Sequence, residues 1–182
     1  MAAWFVLANG WEPLVTVLGA AVVHELGHWA VLRALGAEVT GFRLGVLGAV
    51  LETDSGRLSY GGELAAVLAG PGANLLAALA LTALGEGRWM AAIGANLVLC
   101  VFNLLPIRPL DGGRALYLLV SWGMGPAAGE TAALWAGTVT ASALAGLIGS
   151  VMWRTGGSLW LLPALCASAW WGMGPWLSGA RP

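Results

Sequence analysis

The chain has 182 residues, of which 59% are hydrophobic and 9% charged, and its net charge is −1. A soluble domain carries about 25% charged residues, so an ordinary soluble globule is excluded. The near-neutral balance likewise implies no nucleic-acid surface.

Five apolar spans follow one another, at about 13–35, 64–84, 89–107, 131–153 and 158–178. Each has about 20 residues, the length a helix needs to cross the hydrocarbon core. The expected fold is an all-α polytopic membrane protein with about five transmembrane helices in one domain over 1–182. The lipid bilayer is its first partner. The first basic residue is Arg33, so the start lacks the basic region of a cleaved signal peptide, and residues 1–36 are expected to stay in the mature protein. Trp11, Trp89, Trp122, Trp153, Trp160 and Trp176 fall near span ends, where indoles sit at lipid headgroups.

Between the first two spans, residues 38–63 alternate short apolar pieces with Gly and contain the turn signal "TDSG". This texture reads as a small β-hairpin insertion. Arg33, Arg43, Arg57, Arg108, Arg114 and Arg181 would share one side of the membrane, and Arg88 and Arg154 the other. The positive-inside rule makes the larger group cytoplasmic. Small residues recur every fourth position at Ala66, Gly70, Asn74 and Ala78, and again at Gly137, Ala141, Ala145 and Gly149. Such stripes let membrane helices approach closely. Asn74, on the first stripe, should face a helix or cavity rather than lipid. Cys100 and Cys166 lie in apolar runs without CxxC spacing and read as buried thiols.

The stretch "VVHELGHWA", 22–30, sets His24, Glu25 and His28 inside the first span. His24 and His28 share a helix face, and both imidazoles can reach one metal at roughly 2.0–2.1 Å. Glu25 stands where it can take a proton from an attacking water without being a ligand, the HExxH arrangement of zinc peptidases. The plainer alternative is a pair of histidines satisfied in a helical core. Against it, a charged group at mid-bilayer costs about 2.5–3.5 kcal/mol on insertion scales, so the three groups need partners. Arg33 follows His28 by five residues, which puts the site inside the bilayer nearer the cytoplasmic face. Zinc hydrolases commonly have three protein ligands, and the chain has two His. Asp111, in "FNLLPIRPLDGGR" at 102–114, is the expected third ligand. Pro106 and Pro109 break the helix there, and Gly112 and Gly113 allow close backbone approach.

"HELGH" with "NLLPIRPLDGG" resembles the site-2 proteases, zinc metalloproteases that cut within the membrane. "FNLLPxxPLDGGR" is most similar to the branch holding a sporulation protease that processes a sigma-factor precursor. "AGPGANLL", 69–76, resembles the family's Gly-Pro-x-x-Asn helix. The resemblance covers roughly 12–122, leaving about 129–178 as accessory helices. It implies a three-helix catalytic core around one Zn2+, held by His24, His28 and Asp111, with Glu25 as general base. It implies that Asn74 and Asn103 are polar core positions near substrate, either of which could donate to an oxyanion. It further implies a bacterial cytoplasmic membrane, peptide-bond hydrolysis in or near the transmembrane segments of regulatory substrates, and a regulatory membrane partner. The length leaves room neither for a helix before the first span nor for PDZ-like or nucleotide-sensing modules, so a minimal core is expected. The hairpin could hold an extended substrate by strand addition.

Two other readings use the same residues. A metal transporter also places His and Asp in the membrane, but it needs sites in series and no general base. A non-catalytic relative that binds membrane segments would have no use for Glu25. Glu25→Gln separates both from a protease.

Overall fold

The computed structural model describes residues 11–37, 39–45, 48–53, 58–85, 87–155 and 166. Its contacts form two compact units, Met1–Asn103 and Leu104–Pro182.

The first unit begins with α1, Glu12–Ala34. Pro13 in its first turn has a φ suited to a helix start. Glu12 and Arg33 complement the dipole at its two ends. A Schellman turn closes it: Gly36 takes φ +73°, its N–H donates to Arg33 O, and the Ala37 N–H donates to Leu32 O. Leu32 and Ala37 then pack together with Ala66.

Strands β1, Val39–Gly45, and β2, Gly48–Thr53, pair antiparallel, with Phe42 opposite Leu51 and Gly45 opposite Gly48. The pairing is irregular between Val39 and Gly41.

Helix α2, Tyr60–Ala83, starts at Ser59, whose Oγ accepts from the Gly62 N–H at 3.2 Å. A short 3-10 turn at Gly87–Trp89 leads into α3, Met90–Asn103. Helices α1, α2 and α3 pack pairwise against one another.

The polarity of this unit is reversed relative to a soluble bundle. Val15, Leu18, Val22 and Leu26 of α1 are exposed, whereas Ala20 and His24 are buried. On α2 the stripe Ala66, Gly70, Asn74 and Ala78 is buried, while Leu75, Leu76 and Leu79 face outward. Small and polar groups inside with bulky aliphatic groups outside is the arrangement lipid favours, since tails solvate Leu as well as another helix does. Gly27 marks a close approach of α1 to α2. A Cβ there would lie 2.5 Å from Ala69 O and 2.7 Å from Ala73 Cβ.

The second unit holds α4, Asp111–Met124, and α5, Pro126–Arg154, joined at Gly125 with φ +89°. The expected stripe on the fourth span is displaced by two turns. The buried line runs Gly129, Ala133, Gly137, Ala141: Gly129 meets α4, and Gly137 and Ala141 meet the loop before it. A Cβ on Gly129 would lie 2.7 Å from Tyr117 O. Among the described residues, nothing lies within 4 Å of a Cβ placed on Gly149.

Among the described residues, α1, α2 and α5 are long and apolar enough to cross a membrane. The third expected span is shorter than the sequence suggests. The 14 residues of α3 rise about 21 Å against a hydrocarbon core of about 30 Å. It stops at Asn103 because Pro106 and Pro109 cannot continue the hydrogen-bond ladder, and residues 111–124 form the separate helix α4. The fifth expected span, 158–178, lies outside the described residues except for Cys166. That residue is exposed, while Cys100 is buried as expected.

Candidate metal centre

Helix α1 carries His24 and His28 one turn apart, and their rings meet edge to face at 4.7 Å between centroids. The Nε2 atoms lie 3.1 Å apart. Each Nδ1 has an oxygen partner. His28 Nδ1 is 2.8 Å from Ala66 O of α2. A backbone carbonyl only accepts, so this Nδ1 carries the hydrogen. His24 Nδ1 is 2.8 Å from Asn74 Oδ1.

The orientation of the Asn74 amide is fixed by its neighbours. Its Nδ2 donates to Ala20 O at 2.9 Å and to Asn96 Oδ1 at 2.8 Å. Asn96 is held in turn, its Nδ2 donating to Ala92 O at 2.9 Å. Because Ala20 O and Ala92 O can only accept, the amide nitrogens must face them. Asn74 Oδ1 is then an acceptor, and His24 Nδ1 is its donor.

Both rings are thus Nδ1–H tautomers with acceptor Nε2 atoms turned toward each other. Two acceptors at that distance repel unless an electrophile, a metal ion or a proton, lies against them. This is how histidines bind zinc: one nitrogen ligates while the other donates to a carbonyl or amide.

Gly70 forms a wall of this site. A Cβ there would collide with His28 Nε2, lie 2.6 Å from His28 Cε1 and lie 2.8 Å from His24 Cε1. The α2 backbone therefore runs directly against the two imidazoles, which only glycine permits. Pro71 follows within the same helix. Lacking an N–H, it releases the Val67 carbonyl from the ladder.

Asn74, considered for an oxyanion role, turns its amide toward the neighbouring helices. It is fully buried, and both of its amide hydrogens are committed to Ala20 O and Asn96 Oδ1, so none is left for a substrate oxygen. It positions His24. Asn103, at the end of α3, uses one amide hydrogen on Leu99 O at 3.1 Å and is half-buried. Glu25 is half-buried beside His24 on α1. Asn96 was not legible as a functional residue. It stands seven positions before Asn103, outside every motif, and its one sequence signal is an amide within an apolar span.

In the second unit, Asp111 is half-buried and takes the first position of α4, where the helix dipole favours a carboxylate. The loop before it folds back onto that first turn, with the Ile107 N–H donating to Leu105 O and the Leu110 N–H to Ile107 O. The two glycines after Asp111 accommodate this loop. A Cβ on Gly112 would be 2.5 Å from Leu105 O, and one on Gly113 would be 2.7 Å from Ile107 O. Ile107 and Leu110 are buried against Ala141 of α5. Arg108 ties the loop outward, reaching Glu130 at 2.7 Å and lying over the Tyr117 ring.

Comparison with known proteins agrees with this arrangement. No family model matches the chain. Stage IV sporulation protein FB of Bacillus subtilis is 30% identical over 128 residues, 66% of this chain and 44% of that protein. A protein of Synechocystis sp. named as a candidate zinc metalloprotease, sll0528, is 35% identical over 119 residues, 59% of this chain and 31% of that protein. In sequence the chain is thus similar to zinc metalloproteases and to a sporulation protein. It spans less than half the length of these curated relatives. Its fold is that of the site-2 protease from Methanocaldococcus jannaschii, with a TM-score of 0.59 at 24% identity, covering 94% of this chain and 81% of that one.

Proposed function

We propose that this chain is the catalytic core of a zinc-dependent intramembrane protease that hydrolyses peptide bonds in or near the transmembrane segments of regulatory membrane proteins. The observation that carries the reading is the pair of opposed Nε2 acceptors on an apolar helix, each locked in tautomer from behind. The donor set fits zinc: two imidazoles, with Asp111 as the carboxylate that would complete it.

Bound zinc would supply a Lewis acid for the scissile carbonyl and lower the pKa of an attacking water. The residues of the chain do the rest. Glu25 accepts the proton of that water and returns it to the leaving amine. Asn103, with a second amide hydrogen, is the remaining side-chain candidate to donate to the developing oxyanion. An extended substrate would add to an edge of the β1–β2 ribbon. The chain would be a multi-pass protein of a bacterial cytoplasmic membrane, and the arginine distribution supports an orientation with the site nearer the cytoplasmic face.

The test is the metal content of the detergent-purified chain together with cleavage of a co-expressed single-span membrane substrate. Wild type should hold about one zinc per chain, lost in His24→Ala and in Asp111→Ala. Glu25→Gln should keep the zinc while cleavage falls by about 10²–10⁴-fold. A wild type that stays metal-free after zinc is added back overturns the proposal, and full cleavage by Glu25→Gln removes the general base. Zinc retained in Asp111→Ala alone would move the third ligand elsewhere.

A further inference from the structure

We propose that Asn96 is a positioning residue of the metal centre: through Asn74, it locks His24 in the tautomer that presents Nε2 as a ligand. The inference rests on the zinc reading above and assigns the polar line behind it. Asn96 and Asn74 are both buried, at 5% and 0% exposure, on α3 and α2. Each would be costly in an apolar span without partners. Each has them, in one directed sequence from Ala92 O through Asn96 and Asn74 to the His24 ring.

The lock works by excluding one alternative. If the Asn74 amide turned over, its oxygen would face two acceptors, Ala20 O and Asn96 Oδ1, and its nitrogen would face His24 Nδ1. His24 would then accept at Nδ1 and carry its hydrogen on Nε2, where no metal can bind. Ala20 O opposes that flip from α1. Asn96 Oδ1 opposes it from α3, and it can do so only because its own amide is anchored on Ala92 O. Removing Asn96 leaves one opposing acceptor instead of two. It also leaves an Asn74 hydrogen without its partner in the helix packing.

Full-length protein in detergent provides the test, with zinc affinity measured by competition with a chromophoric chelator. Outer partners of metal-bound histidines commonly contribute 10–100-fold in affinity, so Asn96→Leu should weaken zinc by about tenfold or more. Asn96→Ser keeps a neutral group that can donate to the Ala92 carbonyl and accept from Asn74, and it should lose less affinity than Asn96→Leu by the same reasoning. In an Asn74→Leu background, Asn96→Leu should add nothing further, because its route is already cut. The second readout is the 15N shifts of the His24 ring in the metal-free chain: Nδ1–H in wild type and mixed in Asn96→Leu. Thermal unfolding with chelator present checks that each variant folds, and Asn96→Ala replaces Asn96→Leu if the latter does not. Unchanged affinity in Asn96→Leu, equal losses in the Ser and Leu variants, or losses that add in the Asn74→Leu background would each overturn the proposal. A wild type without zinc defeats the metal reading instead, and the metal-free 15N shifts still decide the tautomer.

Discussion

Gly70 is the residue that leaves the two imidazoles their space. A side chain there meets both imidazoles, and neither ring can move back, because Ala66 O and Asn74 Oδ1 hold them from behind. Overpacking of this kind costs about 1–3 kcal/mol. If the rings yield, zinc affinity in Gly70→Ala drops by about one to two orders of magnitude, since each 1.4 kcal/mol is tenfold. Zinc titration checks it, and an unchanged affinity would mean that α2 shifts instead. The two histidines were legible as a pair because polar groups one turn apart in an apolar run are costly there without a shared partner. The wall at Gly70 was legible only as a member of a small-residue stripe. Its contact with the rings depends on the rotation of α2 about its own axis, which period alone does not fix.

At the scale of elements, the turn before α4 depends on glycine through main-chain contacts. The atoms a Cβ would strike at Gly113 are Ile107 C and O and Arg108 N, and backbone yields less readily than a side chain. Gly113→Ala should destabilise the second unit by about 1–3 kcal/mol, seen as a lower unfolding midpoint. A midpoint equal to wild type would show that the loop can lift away. Gly36 is a milder case. Its left-handed φ should make Gly36→Ala cost about 1–2 kcal/mol, in the same assay. The spans over α1, α2 and α5 were legible from length and apolar content alone. Helix α4 was not. Its 14 residues are too few for a span and include Asp111 and Arg114, so the stretch reads as a tail of the motif before it. Two prolines divided what composition alone joins. The stripe on α5 was read two turns too far along because small residues continue past the place where α4 and the loop before it stop covering them.

For the whole molecule, three long apolar helices with outward Leu and Val predict that the chain stays in the membrane fraction under alkaline carbonate. Release into the supernatant would contradict the spanning assignment. Exposed Trp11, Trp122 and Trp153 stand at or near helix ends, where spin-labelled lipid headgroups should quench them more than labels at acyl-chain mid-depth. The reversed polarity also governs how this chain can drift over evolutionary time. Outward positions such as Val22, Leu26, Leu76 and Val139 are exposed, and the lipid that would cover such a surface does not distinguish one branched aliphatic from another. Inward positions such as Gly27, Gly70, Asn74 and Ala141 each admit about one shape. Lineages of this protein would therefore change their coat freely and keep their interior. A library randomised at the four outward sites should yield mostly working chains, and one randomised at the four inward sites almost none.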